Sequence, residues 1–185
     1  MLIGLMGKKR AGKDTFARRL VERHGFVRYA FADALKDVLF TLNPLAAVVD
    51  GEPVHLSTIV MHSGGWERAK DEYQEVRRLL QDLGVAVRKH VGKDTWLDPV
   101  MRQVAKESRP VVITDVRFWN EAAAIADAGG YLVRVVRPGH DDGDTHESET
   151  DLDDWEEDFT AHNIKDVEWL ESEADMIVAL IRSEH

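Results

Sequence analysis

Short apolar runs alternate along the chain with stretches in which apolar residues recur every three or four positions. That alternation predicts a mostly parallel sheet covered by helices. Leu2 to Met6 reads as a first buried strand, and a helix follows from about Lys13, with Phe16, Ala17, Leu20 and Val21 on one face and Gly25 ending it. Phe26 to Phe31 reads as a second strand. Ala34 to Leu42 reads as a short helix stopped by Asn43-Pro44. Between Pro44 and Gly65 the periodicity is lost, which predicts a mobile substrate-facing segment or short helices. From Trp66 to Leu83 the positions Trp66, Ala69, Tyr73, Val76, Leu80 and Leu83 keep helical spacing, with Gly84 as the stop.

A further helix is expected from Trp96 to Glu107, with Thr95 and Asp98 spaced as a capping box and Pro99 in the first turn. Pro110 to Thr114 is an apolar run ending at Asp115, the pattern of a central strand. A helix through Ala122 to Ala128 stops at Gly129-Gly130, a strand runs from Tyr131 to Val136, and a last helix from Val167 to Ile181 turns Leu170, Ala174, Ile177, Val178 and Ile181 inward. No linker and no solenoid-period repeat interrupts the 185 residues, so one α/β domain is expected.

Composition narrows the class. Apolar residues make up 44% and charged residues 31%, the balance of a globular protein. Cysteine is absent, which excludes disulfides and thiolate metal sites and fits a reducing cytoplasm. The short apolar N-terminus precedes its basic residues, unlike a secretory leader, and no segment approaches the length of a membrane span. A net charge of −10 argues against polymeric nucleic acid, while Lys8-Lys9-Arg10, Arg77-Arg78 and Arg88-Lys89 form local basic clusters able to draw small anions.

The decisive motif is Gly7-Lys8-Lys9-Arg10-Ala11-Gly12-Lys13, which matches G-x-x-x-x-G-K between an apolar strand and an amphipathic helix. Glycines at both ends let the backbone wrap so that successive N–H groups point at phosphate oxygens, and the helix N-terminus adds positive potential. Lys9, Arg10 and Ala11 then belong to the cradle, and Lys13 supplies a cation for the β- and γ-phosphates. The usual Ser/Thr after the lysine is Asp14, followed by Thr15; either oxygen suits Mg2+, and Asp14 is also placed to orient the attacking group. The tetrapeptide recurs at Gly92 to Thr95 without a preceding strand, so no second nucleotide site is expected. The acidic run Asp141-Asp142-Gly143-Asp144 lacks calcium-loop spacing, and His140 and His146 are weak evidence for zinc.

Read as Gly-x-Lys-Arg-Ala-Gly-Lys-Asp-Thr, the loop resembles that of the deoxynucleoside monophosphate kinases of bacteriophages. Further segments share the resemblance: Phe31 to Lys36, Arg78 to Gly84, Thr114 to Glu121 with Trp119 in place of proline, and Arg134 to Pro138 together with His146 to Glu149. Animal phosphomevalonate kinases have a similar loop and Ser-Glu segment. The resemblance implies a three-layer P-loop fold with a five-stranded parallel sheet, ATP with Mg2+ as donor and a deoxynucleoside monophosphate as acceptor. It implies a helical substrate-binding insertion over about 43–108 and a lid over about 137–155. In this reading Arg137 is a lid arginine, and Asp33, Lys36, Arg78, Gln81, Arg88, Arg117 and Glu149 serve the acceptor. Asp115 helps hold the metal and Asn163 lies along the adenine. The rival functions are a kinase of another phosphorylated small molecule, such as phosphomevalonate, and an ATP-binding module that transfers nothing. A cytoplasmic location, that of the host if phage-encoded, follows from the same resemblance, and a homodimer stays open.

Overall fold

The structure is a computed structural model that describes residues 1–139 and 150–183. The chain divides into two compact units, residues 1–31 with 100–185, and residues 32–99. The first unit is built on five parallel strands, β1 (Leu2–Met6), β2 (Val27–Tyr29), β5 (Val111–Ile113), β6 (Tyr131–Val136) and β7 (Phe159–His162), ordered β2-β5-β1-β6-β7. In register, Ile3 pairs with Val112 on one side and Tyr131 on the other, and Val133 pairs with Phe159. The sheet order reverses around the central strand β1, and in such sheets ligands bind outside the carboxyl ends of the strands at that reversal.

Helices α1 (Lys13–His24) and α8 (Val167–Ser183) cover one face. Phe16 and Leu20 from α1 and Leu170, Ile177, Val178 and Ile181 from α8 bury against Ile3, Leu5, Val112, Val133, Val135 and Ala161. All five inward positions expected of the last helix are buried. On α1 Val21 is exposed instead, because Phe16, Ala17 and Leu20 already fill the contact. The opposite face is covered by α7 (Trp119–Asp127), whose Ile125 packs against Leu132 and Gly4 so closely that a Cβ at Gly4 would lie 2.7 Å from the Ile125 Cδ1 atom.

The second unit carries α2 (Ala32–Leu42), β3 (Leu45–Val49), β4 (Glu52–His55), α3 (Leu56–His62), α4 (Trp66–Glu72) and α5 (Gln74–His90). Helix α6 (Leu97–Val104) carries the chain back into the first unit. The stretch after Pro44, where no element could be placed from periodicity, is an antiparallel hairpin followed by a helix. Its turn residues Asp50 and Gly51 have φ of 52° and 86°, the conformation of the two-residue hairpin turn for which Asp-Gly flanked by apolar residues is the local signal.

Three helix expectations are corrected. The helix expected from Trp66 to Leu83 is two, because Tyr73 adopts an extended conformation (φ −125°, ψ 105°) between α4 and α5. Gly84 does not stop α5, which continues to His90; it is instead a point of close approach, where a Cβ would lie 3.1 Å from the Leu35 Cδ1 atom of α2. The capping box of Thr95 and Asp98 does not form. The Thr95 hydroxyl donates to the Gly92 carbonyl (2.8 Å), Asp98 N–H bonds to the Asp94 carbonyl (2.9 Å), and the helix is shorter than expected. The apolar positions nevertheless do as expected: Ala69 and Val76 are buried, with Trp66, Tyr73, Leu80 and Leu83 packed against them and against Leu39, Leu56 and Ile59.

Candidate functional site

At the carboxyl end of β1 the chain leaves the sheet through Gly7, whose φ of 125° is closed to side chains. A Cβ there would lie 2.3 Å from the Val135 backbone oxygen, so the loop begins pressed against β6. Arg10 takes a left-handed conformation (φ 60°), the Ala11 N–H donates to the Lys8 carbonyl (3.2 Å), and Gly12, also left-handed, opens α1 with its carbonyl accepting from Phe16 N–H (3.0 Å). Lys13 lies across this turn. Its ammonium donates to the carbonyls of Gly7 (2.6 Å) and Lys8 (2.9 Å), holding a positive charge over the loop. Lys9 is half-buried, and Arg10 is exposed at the loop's apex.

Asp14 and Thr15 occupy the first turn of α1, Asp14 exposed and Thr15 half-buried. Asp115 lies two residues beyond β5, and one of its carboxylate oxygens accepts from the Phe31 N–H (2.8 Å), tying the end of β5 to the chain leaving β2. Among the described residues no three His, Asp or Glu side chains cluster as a ready-made cation cage. A carboxylate and a hydroxyl beside a phosphate-type loop still fit Mg2+, which keeps waters and takes its remaining oxygens from nucleotide phosphates.

The turn after Asp115 is built by a residue for which the sequence supplied no role. Glu121, only 4% exposed, accepts the Arg117 and Phe118 amides (2.8 and 3.1 Å) on Oε2. It thereby fixes the backbone that carries Arg117. An acidic residue three positions into a helix was the available signal. Arg137 is exposed just after β6. Glu149, His140, His146 and the run from Asp141 to Asp144 lie outside the described residues.

The acidic stretch beyond them has partners. Asp151 accepts from the Trp119 N–H (2.9 Å), Asp153 pairs with Lys8 of the loop (3.0 Å), and Asp158 accepts from the Leu132 N–H (2.7 Å). Arg134, on β6, organises the stretch: its guanidinium donates to Glu157 (2.7 Å) and to the carbonyls of Leu152 (3.0 Å) and Trp155 (2.7 Å). Burial alone would raise the Glu157 carboxyl; the bonds from Arg134 and Thr160 outweigh it and hold it below the usual range. Trp155 meets Trp119 edge to face, with ring centroids 4.6 Å apart. Asp153 and Glu157 are thus paired with the cations Lys8 and Arg134, and Asp151 and Asp158 are held by backbone amides.

Asn163 follows β7. Its backbone N–H bonds to the Val136 carbonyl (2.8 Å), and its side-chain amide donates to the Ala11 carbonyl inside the glycine-rich loop (2.9 Å). In the second unit Arg78 is bonded on both sides within its own helix, to Glu75 (2.5 Å) and to Asp82, and those partners raise its pKa still further. Arg88 donates to the Lys93 carbonyl (3.1 Å). The Lys36 ammonium, largely buried, lies 3.8 Å from Asp33 and 3.9 Å from Glu67. Gln81 is half-buried on α5, one turn from Arg78.

The family model described as deoxynucleotide monophosphate kinase matches residues 1–68 and 66–174, nearly the whole chain, with the loop, β5, the Arg134 strand and Asn163 inside the match. The chain belongs to the deoxynucleotide monophosphate kinase family. A protein of Acanthamoeba polyphaga mimivirus, provisionally named a deoxynucleotide monophosphate kinase, is 32% identical, and the alignment covers 82% of each chain. A solved dephospho-CoA kinase from Campylobacter jejuni superposes with a TM-score of 0.51 at 13% identity, over 97% of this chain and 96% of its own, which shows a shared fold. As a member of the kinase family the chain is a phosphotransferase, and its five-stranded parallel sheet is the P-loop kinase architecture that the resemblance implied. Among the described residues no helix is long and apolar enough to cross a membrane.

Proposed function

We propose that the chain transfers the γ-phosphate of ATP to the phosphate of a deoxynucleoside monophosphate, giving ADP and the deoxynucleoside diphosphate. The observation that carries this is the loop from Gly7 to Lys13 at the carboxyl end of β1, its Lys13 ammonium already held over the turn, in a chain of this family. Gly7, Lys9, Arg10 and Gly12 offer backbone amides to the triphosphate, Ala11 closes the turn through its N–H to the Lys8 carbonyl, and Lys13 balances the charge that shifts from the γ-phosphorus onto the leaving oxygen. An acceptor phosphate oxygen forms the new O–P bond as the bond from the γ-phosphorus to the β–γ bridging oxygen breaks. That acceptor oxygen is already ionised at neutral pH, so positioning matters more than a general base.

Asp14 and Thr15, with Asp115 in support, would hold Mg2+, which when bound screens the phosphate charges. Arg137 is the proposed lid arginine over the transferring phosphate, and Arg117, Asp33, Lys36, Gln81 and Arg88 are the proposed acceptor groups; guanidinium pairs suit phosphate oxygens, and a carboxamide suits a base edge. Arg78 enters this set only by exchanging Glu75 or Asp82 for the acceptor. Glu149 is kept for the acceptor on the resemblance alone. The chain's net charge of −10 supports small nucleotides over polymeric nucleic acid as partners, and a cytoplasmic setting supplies both.

The test is ADP release measured with each dNMP, each NMP and phosphomevalonate as acceptor. ADP formation with at least one dNMP, exceeding that with phosphomevalonate, is the expected result. No release above background with any dNMP would remove this function, and ATP binding without turnover on any acceptor would identify a binding module.

A further inference from the structure

We infer that Asn163 is a positioning residue for the phosphate loop: its carboxamide latches the Ala11 carbonyl and holds the loop amides in the geometry that receives a triphosphate. The inference rests on the triphosphate-binding reading of that loop and replaces a contact to the adenine as the residue's work. Three observations carry it. Asn163 is itself anchored, since its N–H bonds to the Val136 carbonyl at the end of β6 (2.8 Å). Its side-chain Nδ2 donates to the Ala11 carbonyl (2.9 Å), a peptide between Arg10 and Gly12 at the base of the turn. Finally, Gly12 packs directly against it: a Cβ on Gly12 would lie 2.8 Å from Asn163 Nδ2 and 2.7 Å from Leu170 Cδ2.

A phosphate loop works by turning successive N–H groups toward one point, which turns the intervening carbonyls outward. Gly7 and Gly12 both have φ beyond 110°, and Arg10 has a φ of 60°, so the turn holds backbone conformations that a free chain leaves readily. An outward carbonyl met by a fixed amide donor resists rotation of its peptide. Asn163 supplies that donor from a strand end that the sheet holds in place, and Leu170 walls the other side. Gly7 against the Val135 oxygen gives the loop its second fixed point on β6.

The two roles for Asn163 predict opposite dependence on ligand. The test measures binding of inorganic tripolyphosphate, ATP, GTP and adenosine to the full chain and to Asn163→Ala, with Asn163→Ser alongside, whose hydroxyl is too short to reach Ala11. Amide hydrogen exchange is followed over residues 8 to 13. A positioning residue predicts that both variants weaken tripolyphosphate, ATP and GTP by a common factor of about tenfold, the value of one lost hydrogen bond. Adenosine binding would be unchanged and exchange at Ala11, Gly12 and Lys13 faster, with the melting temperature little moved. Unchanged tripolyphosphate affinity, or a loss confined to ATP and adenosine, overturns the inference and returns Asn163 to the adenine. If Asn163→Ala does not fold, Asn163→Ser decides by the same readouts, and unfolding of both would make Asn163 a stability residue and also overturn it. Failure of the wild-type chain to bind either tripolyphosphate or ATP is a different result, which removes the triphosphate reading itself.

Discussion

Lys13 meets two loop carbonyls at 2.6 and 2.9 Å, so its ammonium is placed before any nucleotide arrives. Preorganised charge of this kind costs nothing to assemble during the reaction and typically contributes about 10²–10³ in turnover. Lys13→Ala is therefore expected to lower kcat by about that factor in the ADP-release assay while circular dichroism stays unchanged; near-normal turnover would move the phosphate cation elsewhere. The adjacent pair separates by ligand strength. Asp14 stands in the first turn of α1 at the position directly after the lysine, and a carboxylate binds a hard dication more strongly than a hydroxyl does. Asp14→Asn is expected to raise the Mg2+ concentration for half-maximal turnover about tenfold, with Thr15→Ala within about twofold of wild type, as read from magnesium titrations. The reverse order would assign the metal to Thr15.

At the scale of elements, α1 and α8 are joined by more than their apolar faces. Arg19 donates to both oxygens of Asp175 (3.0 and 2.6 Å) and to Glu171 (3.2 Å), and His24 Nε2 meets Asp175 at 2.7 Å. The Arg19 hydrogen bonds bring the Asp175 carboxyl from an ordinary 3.8 down to about 2, against a smaller opposing effect of burial. A carboxylate whose folded pKa is depressed contributes stability above its unfolded pKa and loses it as pH falls through the folded value. Asp175 is about a quarter exposed, so solvent screening reduces the contribution to about 1–2 kcal/mol. Asp175→Asn is expected to lower unfolding free energy by that amount at pH 7. The difference should disappear between about pH 4 and pH 2, and denaturant titrations at both ends measure it. Equal stability at pH 7 would mean the pair is ornamental.

These two helices were also the most legible in the sequence, because a helix with one apolar stripe announces both its period and its buried face. Strands β1 and β6 were legible for a related reason, as short apolar runs bounded by glycine. The β3–β4 hairpin was missed although Asp50-Gly51 stood in it, since its strands expose Leu45, Val48 and Val49 and so show no inward-outward alternation. Strand β7 was missed because Phe-Thr-Ala-His carries one fully buried residue and looks like loop without its parallel partner. The break at Tyr73 is likewise invisible to periodicity, because the apolar stripe continues across it. In the site, the loop glycines and Lys13 were legible as a motif with fixed spacing. Glu121 was legible only as an acidic residue in the first turn of a helix, and Arg134 and Asn163 were not legible as supports, since each acts on backbone groups far away in the chain and only the fold brings them together.

Across the whole of the first unit, Arg134 connects the sheet to the phosphate loop. Its guanidinium, on β6, holds Glu157 and the carbonyls of Leu152 and Trp155, while the stretch so held bonds Lys8 through Asp153 and the Trp119 amide through Asp151. A methionine would keep much of the stem and lose every donor, leaving Glu157 with Thr160 as its other side-chain donor and two carbonyls without their charged partner. Hydrogen bonds to charged groups contribute about 1.5–3 kcal/mol, so Arg134→Met should cost about 2 kcal/mol and lower the melting temperature by about 4–8 °C. The loss should be local before it is global. Trp155 is half-buried against the exposed Trp119 at 4.6 Å, and freeing the stretch opens the Trp155 ring further to water, so tryptophan emission should shift to the red well below the main melting transition. Because Asp153 and Lys8 then part company, the KM for ATP should change more than kcat does. An unshifted emission and an unchanged melting temperature would mean that the Trp–Trp contact and the Asp151 and Asp153 bonds hold the stretch without Arg134.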